Sequence, residues 1–199
     1  MKFCTTEVTY DQYQAYARET PGTDSSWEKA SGKGSHPVVY VSFDDAMAFC
    51  EWLSRKEGKN YRLPTDHEWS CAVGIGDQED SRATPKAKDG KIVDVYPWGI
   101  SFPPPSNAGN YNLPEDGYER TAPVGSYRPN RYGIYDLGGN VSEWCPDPYE
   151  PSFTGRVLRG GSWYSGPSSL LSSYRYDRGP GNRDVSIGFR CVLVVGSGG

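Results

Sequence analysis

Apolar positions in this chain follow a helical period in a few short stretches and lose it elsewhere. Ala46, Phe49, Cys50 and Leu53 recur at i, i+3, i+4 and i+7, one face of a helix that starts at Ser42-Phe43-Asp44-Asp45 and ends near Gly58. Thr9-Tyr10-Asp11-Gln12 has the form of a capping box, and Tyr13, Tyr16 and Ala17 continue it as a short amphipathic helix. "RLPTDHEW" repeats the device: Thr65 caps, Glu68 closes the box, and Trp69, Ala72 and Val73 point inward. "HPVVYVSF" (36–43) and "GFRCVLVV" (188–195) read as strands. Residues 77–94 are charged without a clear period and read as a surface excursion. From Tyr96 to Tyr149, Pro, Gly, Asn, Tyr and Trp dominate, which is turn chemistry with little regular structure. The run 164–186 has neither period, yet it lies between two sharply defined ends, Arg159-Gly160-Gly161-Ser162-Trp163 and Ile187-Gly188-Phe189-Arg190-Cys191. No repeat or linker divides the chain, so a single domain over 1–199 is expected.

Composition sharpens this picture. The hydrophobic share is 36%, but aromatics reach 14% and Gly plus Pro total 40 of 199 residues, which suits a loop-rich fold with an aromatic core. Net charge is -4 with acids and bases interspersed, so no basic stripe points to nucleic acid. No stretch approaches the ~18 apolar residues of a membrane span. The start "MKFCTTEVTYDQY" has no apolar signal-peptide core, which leaves a cytoplasmic protein, another export route or a trimmed chain open, surface or virion display included.

Candidate chemistry is sparse. His36 and His67 are the only histidines, and no H-E-x-x-H or G-x-S-x-G motif is present. Five cysteines form no C-x-x-C pair, which argues against zinc or a thioredoxin-type site. Gly74-Ile75-Gly76 reads as a helix C-terminus. Oxygen ligands are the better prospect. Asp136 and Glu143 flank a Gly-Gly turn in "YDLGGNVSEW", and Asn107 and Asp116 form a second cluster. Carboxylates with intervening carbonyls are what calcium takes, although Asn, Asp and Gly also build plain turns.

Together "VSFDDAMAFCEWLS", "RLPTDHEW", "YPWG", "APVGSYRPNRYGIYDLGGNVSEW", "RVLRGGSW" and "GFRC" resemble the formylglycine-generating-enzyme, or sulfatase-modifying-factor, family over nearly the whole chain. The resemblance implies an α+β, C-type-lectin-like fold with two main helices, a small twisted antiparallel sheet and much irregular loop. Members usually begin with a strand or two ahead of "TEVTYDQY", so a shortened N-terminus is expected. The enzymes of the family hold copper with two cysteines just beyond the "GGSW" turn. The matching positions here fall near Ser165 and Leu170, neither of which offers the soft thiolate that copper(I) wants. No copper is therefore expected.

The resemblance also implies structural calcium at two sites. One set is the Asp136 and Glu143 side chains with the Gly139 and Val141 carbonyls; the other is the Asn107 and Asp116 side chains with the Ala108 and Tyr118 carbonyls. It implies further that Cys50 and Cys191 are neighbours, disulfide-bonded in an exported protein and thiols in a reducing compartment. The usual partner of Cys71 is missing, so Cys71 is expected free.

A second branch with this fold, the variable proteins of diversity-generating retroelements, resembles the chain in its "RGGSW…R…P…R…GFR" frame. On that comparison Arg175, Pro180, Asn182, Arg183 and Ile187–Arg190 are frame. Trp163 and Phe189 would anchor in the core, while Arg175 and Arg183 would tie down loop carbonyls. Tyr164, Ser165, Gly166, Ser168, Ser169, Ser173, Tyr174, Tyr176, Asp177, Arg178, Gly179, Gly181, Asp184, Val185 and Ser186 become the variable, ligand-binding positions. Rewriting the adenines of an Asn codon cannot yield Lys, Glu, Gln, Met or Trp. Those types make up 30 of 199 residues, yet residues 164–186 contain none, where composition alone gives roughly three or four.

The expectation is a non-catalytic display protein whose partner is a protein or cell-surface ligand. The alternative is an oxidase, or an enzyme-derived domain, acting on a cysteine peptide; a regulatory domain fused to others is a third reading.

Overall fold

The computed structural model describes residues 1–100, 102–112 and 117–195. Its helices are α1 (Tyr10–Glu19), α2 (Trp27–Ala30), α3 (Phe43–Glu57), α4 (Asp66–Val73) and α5 (Pro85–Lys88). Its strands are β1 (Lys2–Phe3), β2 (Asn60–Arg62), β3 (Ser142–Pro148), β4 (Arg156–Arg159), β5 (Tyr176–Arg178), β6 (Ile187–Gly188) and β7 (Val192–Val194). They form two small sheets, ordered β1-β7-β2 and β5-β4-β3-β6. All pairs are antiparallel except β3 with β6, so the single antiparallel sheet expected from sequence becomes two, one of them mixed.

The three helix starts form as the local chemistry dictates. Thr9 with Gln12, Ser42 with Asp45 and Thr65 with Glu68 each close a reciprocal capping box, satisfying backbone donors that a helix leaves open. Gly58 and Gly74 end α3 and α4 in the left-handed conformation. The main core gathers Tyr13, Tyr16, Trp27, Phe49, Trp144 and Phe189, all buried. Tyr13 and Phe49 stack at 5.8 Å, and Phe189 meets Phe49 edge-on at 5.4 Å. Burying rings is how a chain with so few aliphatics still builds a core.

Four sequence expectations give way. "HPVVYVSF" is buried through Val38, Val39 and Val41 but is not a strand. Its backbone bonds to three different partners in turn: His36 O accepts from Tyr10, Val38 N–H reaches Val8, and Tyr40 N–H reaches Asp184. Tyr40 itself takes a left-handed φ of 60°, so no ladder can run through it. The excursion 77–94 does lie largely at the surface and gives way only at two points, where Glu79 and Lys88 bury their side chains in an ion cluster. The region read as irregular up to Tyr149 contains the seven-residue strand β3. "GFRCVLVV" is split: Gly188 pairs with β3 and Val192–Val194 with the other sheet, while Phe189, Arg190 and Cys191 turn their side chains into the interior between the two.

Candidate functional site

The segment 164–186 leaves the sheet through Gly160-Gly161 and returns as β5. Gly161 has φ 69°, and a Cβ on it would stand 3.1 Å from Leu170 and 3.2 Å from the Ser165 side chain. The two positions matching the copper ligands therefore converge on Gly161. Ser165 Oγ there accepts a hydrogen bond from Ser162 N–H at 2.9 Å, and Leu170 is buried beside Tyr96 and Tyr111. Neither a hydroxyl nor a hydrocarbon is a ligand for copper(I).

A buried ion cluster holds the centre of the segment. Arg175 donates from Nε to Asp66 Oδ1 at 2.7 Å and from Nη2 to Glu79 Oε2 at 2.6 Å. It also donates to the carbonyl of Ser173 at 2.8 Å. Arg159 and Lys88 reach the same Asp66 carboxylate, and Arg159 lies over the Trp69 ring, 4.3 Å from its centroid. Asp66 is buried, yet the guanidinium groups of Arg159 and Arg175 hold its carboxyl well below the ordinary range despite the desolvation that opposes them. Asp66, Glu79 and Lys88 carried no signal in the sequence, because their contacts with Arg175 span a long stretch of chain. Arg183, expected to tie down carbonyls, instead pairs with Asp45 at 2.8 Å.

Thirteen of the fifteen proposed variable positions are exposed or half-exposed. They are Tyr164, Ser165, Gly166, Ser168, Ser169, Tyr174, Tyr176, Asp177, Arg178, Gly179, Gly181, Asp184 and Val185. The other two are buried. Ser173 Oγ donates to Ile92 O and accepts from Ile92 N–H at 2.8 and 3.1 Å, and Ser186 Oγ donates to Asp184 at 2.6 Å. Both act as internal clasps and belong with the frame. Tyr176 is mixed: its ring packs against the main core, and burial pushes its phenol pKa up. Tyr164 is 49% exposed. It meets Trp163 edge-on at 5.0 Å, and Tyr174 lies 5.8 Å from Tyr176. Trp163 is half-buried rather than sunk in the core, with its indole N–H on Val185 O at 3.2 Å. Phe189 is fully buried as expected.

The oxygen groups chosen for calcium fit unevenly. Asp136 is buried, with Oδ2 accepting from Gly125 N–H at 2.7 Å and Oδ1 without a partner; burial raises its pKa. An unpartnered buried carboxylate oxygen is what a cation site leaves behind. Glu143 fits poorly. Its two oxygens accept from Arg190 at 2.7 and 2.8 Å, and Oε2 also accepts from Trp69 at 3.1 Å. Gly139 and Val141 are buried, and Val141 N–H bonds to Glu7 Oε1. At the second cluster Asn107 and Tyr118 are exposed and Ala108 is half-buried, while Asp116 lies outside the described residues. Asn110, three residues beyond Asn107 and unnoticed in the sequence, is the buried amide there, and its Oδ1 is unpartnered. Among the described residues no group of three or more His, Cys, Asp or Glu side chains is arranged to hold a metal.

Cys50 and Cys191 are buried with sulfurs 3.4 Å apart, as thiols, and Cys71 is exposed and free.

Residues 2–195 match the sulfatase-modifying factor enzyme 1-like domain, and the chain belongs to that family. It is 34% identical over 196 residues to the mouse (Mus musculus) "Inactive C-alpha-formylglycine-generating enzyme 2", covering 88% of this chain and 57% of that protein. It is equally 34% identical, over 190 residues, to the "Formylglycine-generating enzyme" of Streptomyces coelicolor, covering 81% of this chain and 54% of that one. The chain thus spans little more than half the length of these curated relatives, and identity does not separate the active relative from the inactive one. Among solved structures, "Treponema denticola variable protein 1" superposes with a TM-score of 0.70 at 26% identity, covering 95% of this chain and 82% of that one. PvdO from Pseudomonas aeruginosa superposes with a TM-score of 0.74 at 24% identity over 97% of this chain and 80% of that one, which establishes the shared fold. No helix among the described residues is long and apolar enough to cross a membrane.

Proposed function

We propose that this chain is a non-catalytic ligand-binding protein whose binding face is the exposed side of 164–185, diversified by a retroelement. The observation that carries the reading is the division within that segment. Arg175 and Ser173 are buried and bonded, while Tyr164, Ser168, Arg178 and Gly181 lie at the surface. A fixed interior lets the outer side chains change without costing the fold. Tyr supplies large, stiff contact area, and Ser and Gly supply adaptable surroundings, the mixture that antibody loops use. The ligand class is a protein or a cell-surface component. Calcium belongs to the proposal as a structural ion on Asp136, with Asn110 replacing Asn107 as the side-chain donor of the second cluster.

A second reading, an oxidase or enzyme-derived domain acting on a cysteine peptide, is favoured by the identity to the Streptomyces coelicolor enzyme. The missing thiolates at Ser165 and Leu170 weigh against it. The test is a display library randomised at the surface positions of 164–185, with Ser173 and Tyr176 held fixed, selected against an arbitrary protein target. Folded binders with melting temperatures near the parent's are expected. A library that unfolds wholesale would overturn the reading.

A further inference from the structure

We propose that a cleft whose lining includes no residue of 164–186 is a ligand site for a planar aromatic carboxylate. The cleft has a volume of about 470 Å³, within the usual range of small-molecule sites. Tyr96 and Trp98, from the "YPWG" turn, line it with Ile75, Arg128, Arg131 and Asp136. Tyr96 and Trp98 stack in parallel at 5.1 Å and 6°, and Tyr111 continues the series 5.2 Å from Trp98. This wall is rigid: a Cβ on Gly138 would lie 2.8 Å from Pro97, so the turn is wedged against the backbone that follows Asp136. A rigid aromatic wall selects a flat, apolar partner, because dispersion and area burial reward close contact.

The charges select the rest of the ligand. Arg128 and Arg131 are exposed, whereas Asp136, an acid in the same lining, is buried. Asp136 is further occupied on one oxygen by Gly125 N–H. Arg131 bonds to Tyr132 OH at 2.6 Å, which leaves its other four guanidinium N–H donors for a ligand. The charge that a ligand meets on entry is therefore positive, and a guanidinium fork matches a carboxylate. The site does not rest on the reading of the tyrosine-bearing face and would stand if that reading failed.

The carboxylate has two possible sources, a free aromatic acid or the C-terminal residue of a peptide. Calorimetric titration of the whole chain with 2-naphthoate and with 2-naphthamide addresses the first. An octapeptide ending in tyrosine, with its terminus free or amidated, addresses the second. At least one free acid is expected to bind ten-fold or more tightly than its amide. The double variant Arg128→Glu/Arg131→Glu should lose at least ten-fold, as should Trp98→Ala. Trp52→Ala, on α3 and outside the cleft, should bind like the parent. Because both arginines are exposed, their variant remains informative if Trp98→Ala fails to fold. Equal binding of acid and amide, no binding by either acid, or an unchanged arginine variant would overturn the proposal.

Discussion

Arg175 Nε and Asp66 Oδ1 meet at 2.7 Å in the interior although 109 residues separate them in sequence. This contact fastens the centre of the unpatterned segment to the first turn of α4. Breaking a buried pair from one side leaves an uncompensated charge and costs about 3–5 kcal/mol. Arg175→Ala and Asp66→Asn should each lower stability by that amount in urea denaturation. The Asp66 carboxyl is held below its ordinary range by Arg159 and Arg175. Its contribution is therefore complete above the unfolded-state pKa of about 4 and is lost as pH falls toward the lower folded value. The stability gap between the parent and Asp66→Asn should accordingly narrow below about pH 4.

Frame and face should respond differently to truncation. Phe189→Ala removes a fully buried ring and should cost about 3–5 kcal/mol. Tyr164→Ala and Tyr174→Ala should stay within about 1 kcal/mol of the parent, with Tyr176→Ala falling between these and Phe189→Ala. Ser173→Leu should destabilise by about 1–3 kcal/mol, since it overfills a buried position and strands the Ile92 backbone groups. Thermal and chemical denaturation of the five variants checks this ranking, and equal losses for Tyr164 and Phe189 would contradict it.

The chain should not generate formylglycine. Incubation with copper and a cysteine-containing sulfatase peptide, followed by mass spectrometry, should give no aldehyde above a protein-free blank. Turnover would favour the oxidase reading.

Calcium should raise the melting temperature, and a chelator should reverse the rise, because a ligand bound by the native state stabilises it. Asp136→Ala and Asn110→Ala should each reduce the response, while Asn107→Ala should leave it intact. A melting temperature indifferent to calcium and chelator would remove the ion from the account.

Much of the fold was legible in the sequence because its signals are local. The capping residues Thr9, Ser42 and Thr65 act within one turn, and Phe49 and Cys50 declare a helix face by spacing alone. Tyr40 reads as strand because its neighbours are apolar, while its backbone hydrogen bond to Asp184 lies far along the chain. The frame of the candidate site was half legible. Arg175 stands out against a loose background, but Asp66, Glu79 and Lys88 read as ordinary helix and surface charges until the fold brings them together. Ser173 and Ser186 read as surface because serine itself does not reveal burial. Asn110 and Asn107, three residues apart, look alike in the sequence until the fold buries one of them.

The central claim, a diversified face on a fixed frame, is tested most directly by deep sequencing of the gene across a growing population. The account predicts substitutions concentrated at the codons of surface positions such as Tyr164, Ser168, Tyr174, Arg178 and Gly181, arising at template adenines. It predicts none at Asp66, Arg159, Arg175 or Phe189. Variation spread evenly along the gene, or reaching Arg175 as often as Tyr164, would contradict it.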